Sequence, residues 1–235
     1  MPRSSGPQPV WSQGGREILK DKGIGESRRS RRSGVAVGDR RLPRPLIGLP
    51  VHTADLDTAI GPYRRLVVVG ADADLAAVLT RLLRADRLDV EVAYVPRRRS
   101  RATLAYRLPA GRRAARRARG GSARRVTLVR DETGSVIVGR ASWLPPDGEP
   151  AIRGEAVVDD ATLFDGDAPA VEIEPTRAVP GLRARVPAGW RRWLPGRAVQ
   201  LGSTGVIVVR DGVPAPRPAR RSTFYRNVEG WLAVR

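Results

Sequence analysis

Four apolar residues in a row, Leu66-Val67-Val68-Val69, sit between Arg65 and Gly70. A short continuous run of that kind predicts a strand covered on both faces rather than on one. After Gly70 the period changes. Leu75, Val78, Leu79, Leu82 and Leu83 recur at three- and four-residue spacing, the stripe of an amphipathic helix, with Asp72 or Asp74 as its expected N-cap. Strict alternation follows, with Val90, Val92 and Tyr94 set against Asp89 and Glu91, so a second strand is predicted within Leu88–Val95. Strand, helix and strand make one parallel βαβ unit.

Beyond residue 100 the pattern breaks into shorter pieces. Val126–Val129 and Val136–Val138 flank Asp131-Glu132-Thr133-Gly134, which predicts a hairpin with a glycine in its loop. Further strands are expected near Glu155–Val158, Val171–Ile173, Leu182–Val186, Ala198–Leu201, Val206–Val209 and Trp231–Val234. Turns are expected at Asp165-Gly166, Pro180-Gly181 and Asp211-Gly212. The fold class is therefore read as α/β followed by mainly β: a partial, nucleotide-binding-like parallel βαβ region and a β-sandwich-like second domain. Residues 1–46 mix Ser, Gly, Pro and Arg without periodicity and read as a disordered basic tail. Residues 47–65 read as a linker with one weak element near Leu56–Ile60, 66–109 as the βαβ region, 110–125 as an arginine-rich connector and 126–235 as the β-rich domain.

Composition narrows the chemistry. The 235 residues carry 43 Lys+Arg against 24 Asp+Glu, a formal charge of +19, with no cysteine and a single histidine, His52. Disulfide scaffolds and thiol catalysis are excluded, and a Cys/His zinc centre lacks its ligands. A Ser-His-Asp triad would have to run through His52, in a Pro/Gly-rich stretch. No metal site is expected from the residues themselves: Asp159-Asp160 and Asp165-Gly166-Asp167 are read as acidic turns. No apolar run approaches the ~20 residues that span a membrane, and no signal-peptide core follows Met1. A soluble, cytoplasmic protein is expected.

Candidate chemistry begins at the strand–helix junction Val69-Gly70-Ala71-Asp72-Ala73-Asp74-Leu75. Backbone N–H groups at a helix start favour anions there. The segment is neither GxGxxG nor a Walker loop, since Gly70 is its only glycine and no lysine follows. After the second strand, Tyr94-Val95-Pro96 leads into Arg97-Arg98-Arg99-Ser100-Arg101-Ala102, and near the other end Val206-Ile207-Val208-Val209-Arg210 precedes Asp211-Gly212-Val213.

In this order the elements resemble the catalytic region of the diacylglycerol kinase family, related to NAD kinases and sphingosine kinases. That family has a hydrophobic strand, a GGDGT loop, an apolar helix, and a strand ending in Pro before Gly-Thr-x-Asn-Asp. A β-sandwich domain with an Asp-Gly-Glu turn follows. The resemblance covers roughly residues 66–235 and rests on element order with Gly70, Asp72, Pro96, Asp211 and Gly212. It implies phosphate or nucleotide binding at Gly70 and Asp72, a catalytic role for Asp211, and ATP with Mg²⁺ as cofactors where kinase activity is retained. The expected ligand is a nucleotide or phospholipid headgroup.

The departures shape the expected function. Ala71 and Ala73 stand where the family has loop glycines, and Asp74 stands for the threonine. Arginines and Ala102 replace the second motif, and Val213 replaces the glutamate. A carboxylate beside a bound phosphate costs about 1 kcal/mol or more near a surface. The expectation is a degenerate lipid-kinase-like protein with weak or no phosphoryl transfer.

Arginine dominates the rest. From Arg97 to Arg130 there are 13 arginines and no acid. Arg97, Arg98 and Arg99 follow a parallel strand at the carboxyl edge, where α/β proteins bind ligands, and can hold a phosphate through bidentate contacts. They also fit a solvated loop in a chain with 41 arginines and two lysines. Arg112, Arg113, Arg116, Arg117 and Arg119 are expected on one broad helix face ending at Gly120. The alternative function is therefore a non-enzymatic module that binds nucleic acid or an anionic membrane surface without sequence preference, peripheral to the membrane in the latter case.

Overall fold

A computed structural model describes residues 35–37 (as backbone), 42–51, 60, 63–188 and 192–235. His52, Trp190, Arg191, Leu56 and most of the expected tail lie outside the described residues.

The first sheet has the order β1-β2-β3-β16-β4, formed by β1 (Val35–Val37), β2 (Arg65–Val68), β3 (Glu91–Tyr94), β16 (Trp231–Val234) and β4 (Ala123–Val126). β1, β2, β3 and β16 run parallel, and β4 is antiparallel to β16. The unbroken apolar run is explained by burial on two sides. Leu66 and Val68 face α1 (Asp72–Arg84) and α2 (Arg101–Tyr106), while Val67 and Val69 face α3 (Gly111–Gly120). On α1, Leu75, Val78, Leu79 and Leu82 are fully buried, at about 1.5–3 kcal/mol each. α3 packs through Ala114, Ala115 and Ala118, and its arginines 112, 113, 116, 117 and 119 are exposed. Alanine is the residue that lets so charged a helix sit close to a sheet.

Three expectations change here. A strand, β1, lies within the stretch read as disordered, and a 3-10 turn at Arg44–Leu46 buries Leu46 against the α3 side of the sheet. Three residues held by backbone pairing carry no period for a sequence reading to find. Neither Asp72 nor Asp74 is the N-cap: Ala71 is, with Asp72 as the first helical residue. The last strand, β16, returns to the first sheet between β3 and β4 instead of closing the β-rich domain.

The second sheet is antiparallel and has eleven strands: β5 (Val129–Asp131), β6 (Val136–Ile137), β7 (Ala141–Leu144), β8 (Ile152–Val158), β9 (Ala161–Ala168), β10 (Val171–Pro175), β11 (Leu182–Arg185), β12 (Leu194–Gly196), β13 (Ala198–Arg210), β14 (Val213–Pro214) and β15 (Ala219–Arg226). The two strands expected at Ala198–Leu201 and Val206–Val209 are one, β13, with a register break between Gly202 and Val206. Its first half pairs with β8 and β15 and its second half with β7 and β14, so the break carries it from one half of the sheet to the other. A single apolar core containing Trp143, Ile173, Val199 and Phe224 fills the space between. Asp165-Gly166 is not a turn: both residues lie inside β9, Gly166 opposite Gly154.

Candidate functional site

Two features of the β2–α1 junction set the local geometry. Asp74 folds back so that its Oδ2 accepts the Ala71 N–H at 2.7 Å. A β-carbon on Gly70 would meet that same oxygen at 2.1 Å, so glycine is required for this arrangement. The carboxylate thus occupies the N–H group and the space that a phosphate at this helix start would use.

Beside it lies a cavity of about 600 Å³ at the carboxyl edge of β2 and β3, lined among others by Gly70, Pro96, Arg97, Gly111 and Arg112. α3 begins at this cavity, has no side-chain cap and carries no acid in its first turn. Neither Arg97 nor Arg112 forms an ion pair with a described residue. A positive helix end and two guanidinium groups without an ion pair to a described residue suit an anion.

Asp72 points elsewhere. Its Oδ1 accepts the Tyr94 hydroxyl at 2.7 Å and its Oδ2 accepts the Ala102 N–H at 3.1 Å, tying α1 to β3 and α2. Burial, helped by the bond to Asp72, pushes the Tyr94 phenol well above its ordinary value, so it remains a donor. Asp211 approaches from the β-rich domain. It begins the two-residue loop Asp211-Gly212 between β13 and β14, with φ of 48° and 87°. Positive φ at both positions is what an Asp-Gly hairpin loop provides. Its carboxylate accepts the N–H groups of Val138 (2.9 Å), Gly139 (2.7 Å) and Arg140 (2.9 Å). Burial nevertheless raises its pKa to about 6, against those three bonds and with the Asp72 charge adding to the rise.

The two carboxylates do not fit a protein-held Mg²⁺. Backbone N–H groups and the Tyr94 hydroxyl already direct their hydrogens at these oxygens. Among the described residues no cluster of three or more acidic or histidine side chains stands together.

The residues singled out in the sequence are therefore divided. Gly70 and Arg97 share the 600 Å³ cavity. Asp72 meets Asp211 at the domain junction. Arg99 lines a different cavity, and Arg98 is exposed and lines neither. Sequence reasoning overlooked Gly111 and Arg112 as cavity residues, and Gly139, which accommodates the two carboxylates. A lone glycine after Val138 has no signature of that role.

The fold, a parallel sheet with helices and a large antiparallel sheet, is similar to that of solved NAD kinases and diacylglycerol kinases. A diacylglycerol kinase from Bacillus anthracis superposes with a TM-score of 0.63 at 8% identity, covering 86% of this chain and 96% of that one. An NAD kinase from Archaeoglobus fulgidus, solved in complex with ATP, gives 0.59 at 12% identity, covering 86% and 93%. Yeast NADH kinase, complexed with NADH, gives 0.54 at 10% identity, covering 83% and 70%. No protein-family model and no curated protein sequence matches the chain. No helix among the described residues is long and apolar enough to cross a membrane.

Proposed function

We propose that this protein is a kinase-like binder of a nucleotide or lipid phosphate whose phosphoryl transfer is weak or lost. The observation that carries the reading is the Asp74 carboxylate seated against Gly70 and the Ala71 N–H, beside a cavity that still presents Arg97, Arg112 and the start of α3. The cavity supplies charge for a phosphate, while the carboxylate at its edge opposes the approach of a terminal phosphoryl group to the loop. Phosphoryl transfer depends on positioning and charge neutralisation together. Here the Asp211 oxygens are engaged by three backbone N–H groups, which occupy the lone pairs that a base would use to take a proton from an acceptor hydroxyl.

The experiment is a thermal-shift panel of ATP, NAD and lipid phosphates, paired with radiolabelled ATP turnover on diacylglycerol and on NAD. A rise in melting temperature with one of these ligands and negligible transfer is expected. Ordinary kinase turnover, no shift with any ligand, or a shift that Arg97→Ala leaves unchanged refutes it.

A second reading rests on the exposed arginine face of α3, residues 112, 113, 116, 117 and 119. Non-specific attraction to nucleic acid or anionic vesicles through that face would fall steeply with salt. Binding that ignores ionic strength removes this reading.

A further inference from the structure

A second cavity, of about 590 Å³, opens at the same edge of the first sheet but shares no lining residue with the Gly70 cavity. Six arginines converge on it from separate parts of the chain: Arg99 before α2, Arg107 after α2, Arg113 and Arg117 one turn apart on α3, Arg124 on β4 and Arg235 after β16. No acidic side chain lines it, and none of the six is ion-paired to a described residue. The arginines that line the β10–β11 face and β2 differ in this respect. Glu172 and Glu174 neutralise Arg140, Arg183 and Arg185, and Glu91 neutralises Arg65.

The like charges interact. The Arg235 Nε is buried without a hydrogen-bond partner. Burial first, then the charges of Arg177 and Arg124, hold this guanidinium below its ordinary pKa. Arg113 and Arg117, four residues apart on one helix face, repel each other. No Asp or Glu side chain among the described residues is paired with either.

We propose that this cavity is a binding site for a compact anion carrying several phosphate groups, held there without reaction and separate from the Gly70 cavity. Its volume lies in the range of small-molecule sites, and guanidinium forks from several directions match phosphates set along or around a small ligand. A nucleic-acid strand fits less well, because no aromatic side chain lines the cavity to stack a base.

Isothermal titration of the full chain with sodium tripolyphosphate, at constant ionic strength, tests the site, with orthophosphate as the single-phosphate comparison. Tripolyphosphate is expected to bind at least tenfold more tightly than orthophosphate. The double variant Arg113→Ala/Arg117→Ala, both exposed positions, is expected to lose at least tenfold in affinity. The double variant Arg217→Ala/Arg220→Ala removes the same charge from an exposed stretch far along the chain and is expected to change affinity less than twofold. Equal losses in the two variants, or equal affinities for the two anions, overturn the proposal. Loss in Arg97→Ala/Arg112→Ala but not in Arg113→Ala/Arg117→Ala assigns the anion to the Gly70 cavity and also overturns it. So does displacement of tripolyphosphate by a single-stranded oligonucleotide at a lower phosphate concentration, which makes the site part of a polymer-binding face.

Discussion

Asp72, in the first turn of α1, and Asp211, in the β13–β14 loop, bring carboxylate oxygens to 2.8 and 2.9 Å from one point, the place a β-carbon on Gly139 would take. The parallel-sheet domain and the β-rich domain adjoin there through two acidic side chains that have no cationic partner among the described residues. Backbone N–H groups and the Tyr94 hydroxyl hold them in place. The junction is stable only as long as those donors and the missing side chain of Gly139 stay as they are.

Gly139→Ala should therefore destabilise the protein by about 1–3 kcal/mol, since the new methyl group meets both carboxylates and the Arg101 Cβ at 3.1 Å. Gly202→Ala, where no atom lies within 4 Å of the added carbon, should stay within about 0.5 kcal/mol of the parent. Urea midpoints of the two variants at one pH compare them directly.

The raised pKa of Asp211 makes stability depend on acidity. Its ordinary value is 3.8 and its value in the fold is about 6, so between those values the folded chain holds a proton that the unfolded chain has released. The contribution is fully present below 3.8 and is lost as pH rises through about 6. Unfolding free energies measured across that interval should fall with this component as pH increases. Asp211→Asn should remove the component, and an unchanged slope in that variant would assign it to another group.

Asp74→Ala tests the closed loop. Removing the carboxylate leaves the Ala71 N–H without its acceptor, at a cost of about 0.5–1 kcal/mol in stability. It also removes about 1 kcal/mol of repulsion toward a phosphate, so affinity for whichever nucleotide or lipid phosphate binds should rise about fivefold. A calorimetric affinity that falls or stays level would show that Asp74 does not obstruct the cavity.

In the β-rich domain, Asp131 is completely buried and accepts the Thr133 and Ser135 N–H groups at 2.9 Å, the Thr133 hydroxyl at 2.7 Å and a charged bond from Arg210. Arg210→Ala would leave that carboxylate without its counter-charge and should cost about 3–5 kcal/mol. Arg153→Ala breaks a pair with Asp167 in which the side chains are 67% and 66% exposed, and should cost under about 0.5 kcal/mol. Thermal unfolding of the two variants side by side distinguishes a buried pair from a solvated one.

Periodicity in the sequence determined the βαβ unit. A strand with both faces covered must be apolar at every position, and a helix with one covered face must repeat every three to four residues. Leu66 to Val69 and Leu75 to Leu83 can be read on those terms alone. Local backbone chemistry likewise marked Asp211-Gly212 as a turn, because few residue pairs accept positive φ twice, and the structure makes it the loop of a hairpin. The tertiary structure alone decided which distant pieces meet. It placed β16 between β3 and β4, turned Asp72 toward Asp211 and Asp74 over Gly70, and gathered six arginines around one cavity. Those pairings follow from how two packed cores close on each other, and side chains brought together by closure need share no spacing along the chain.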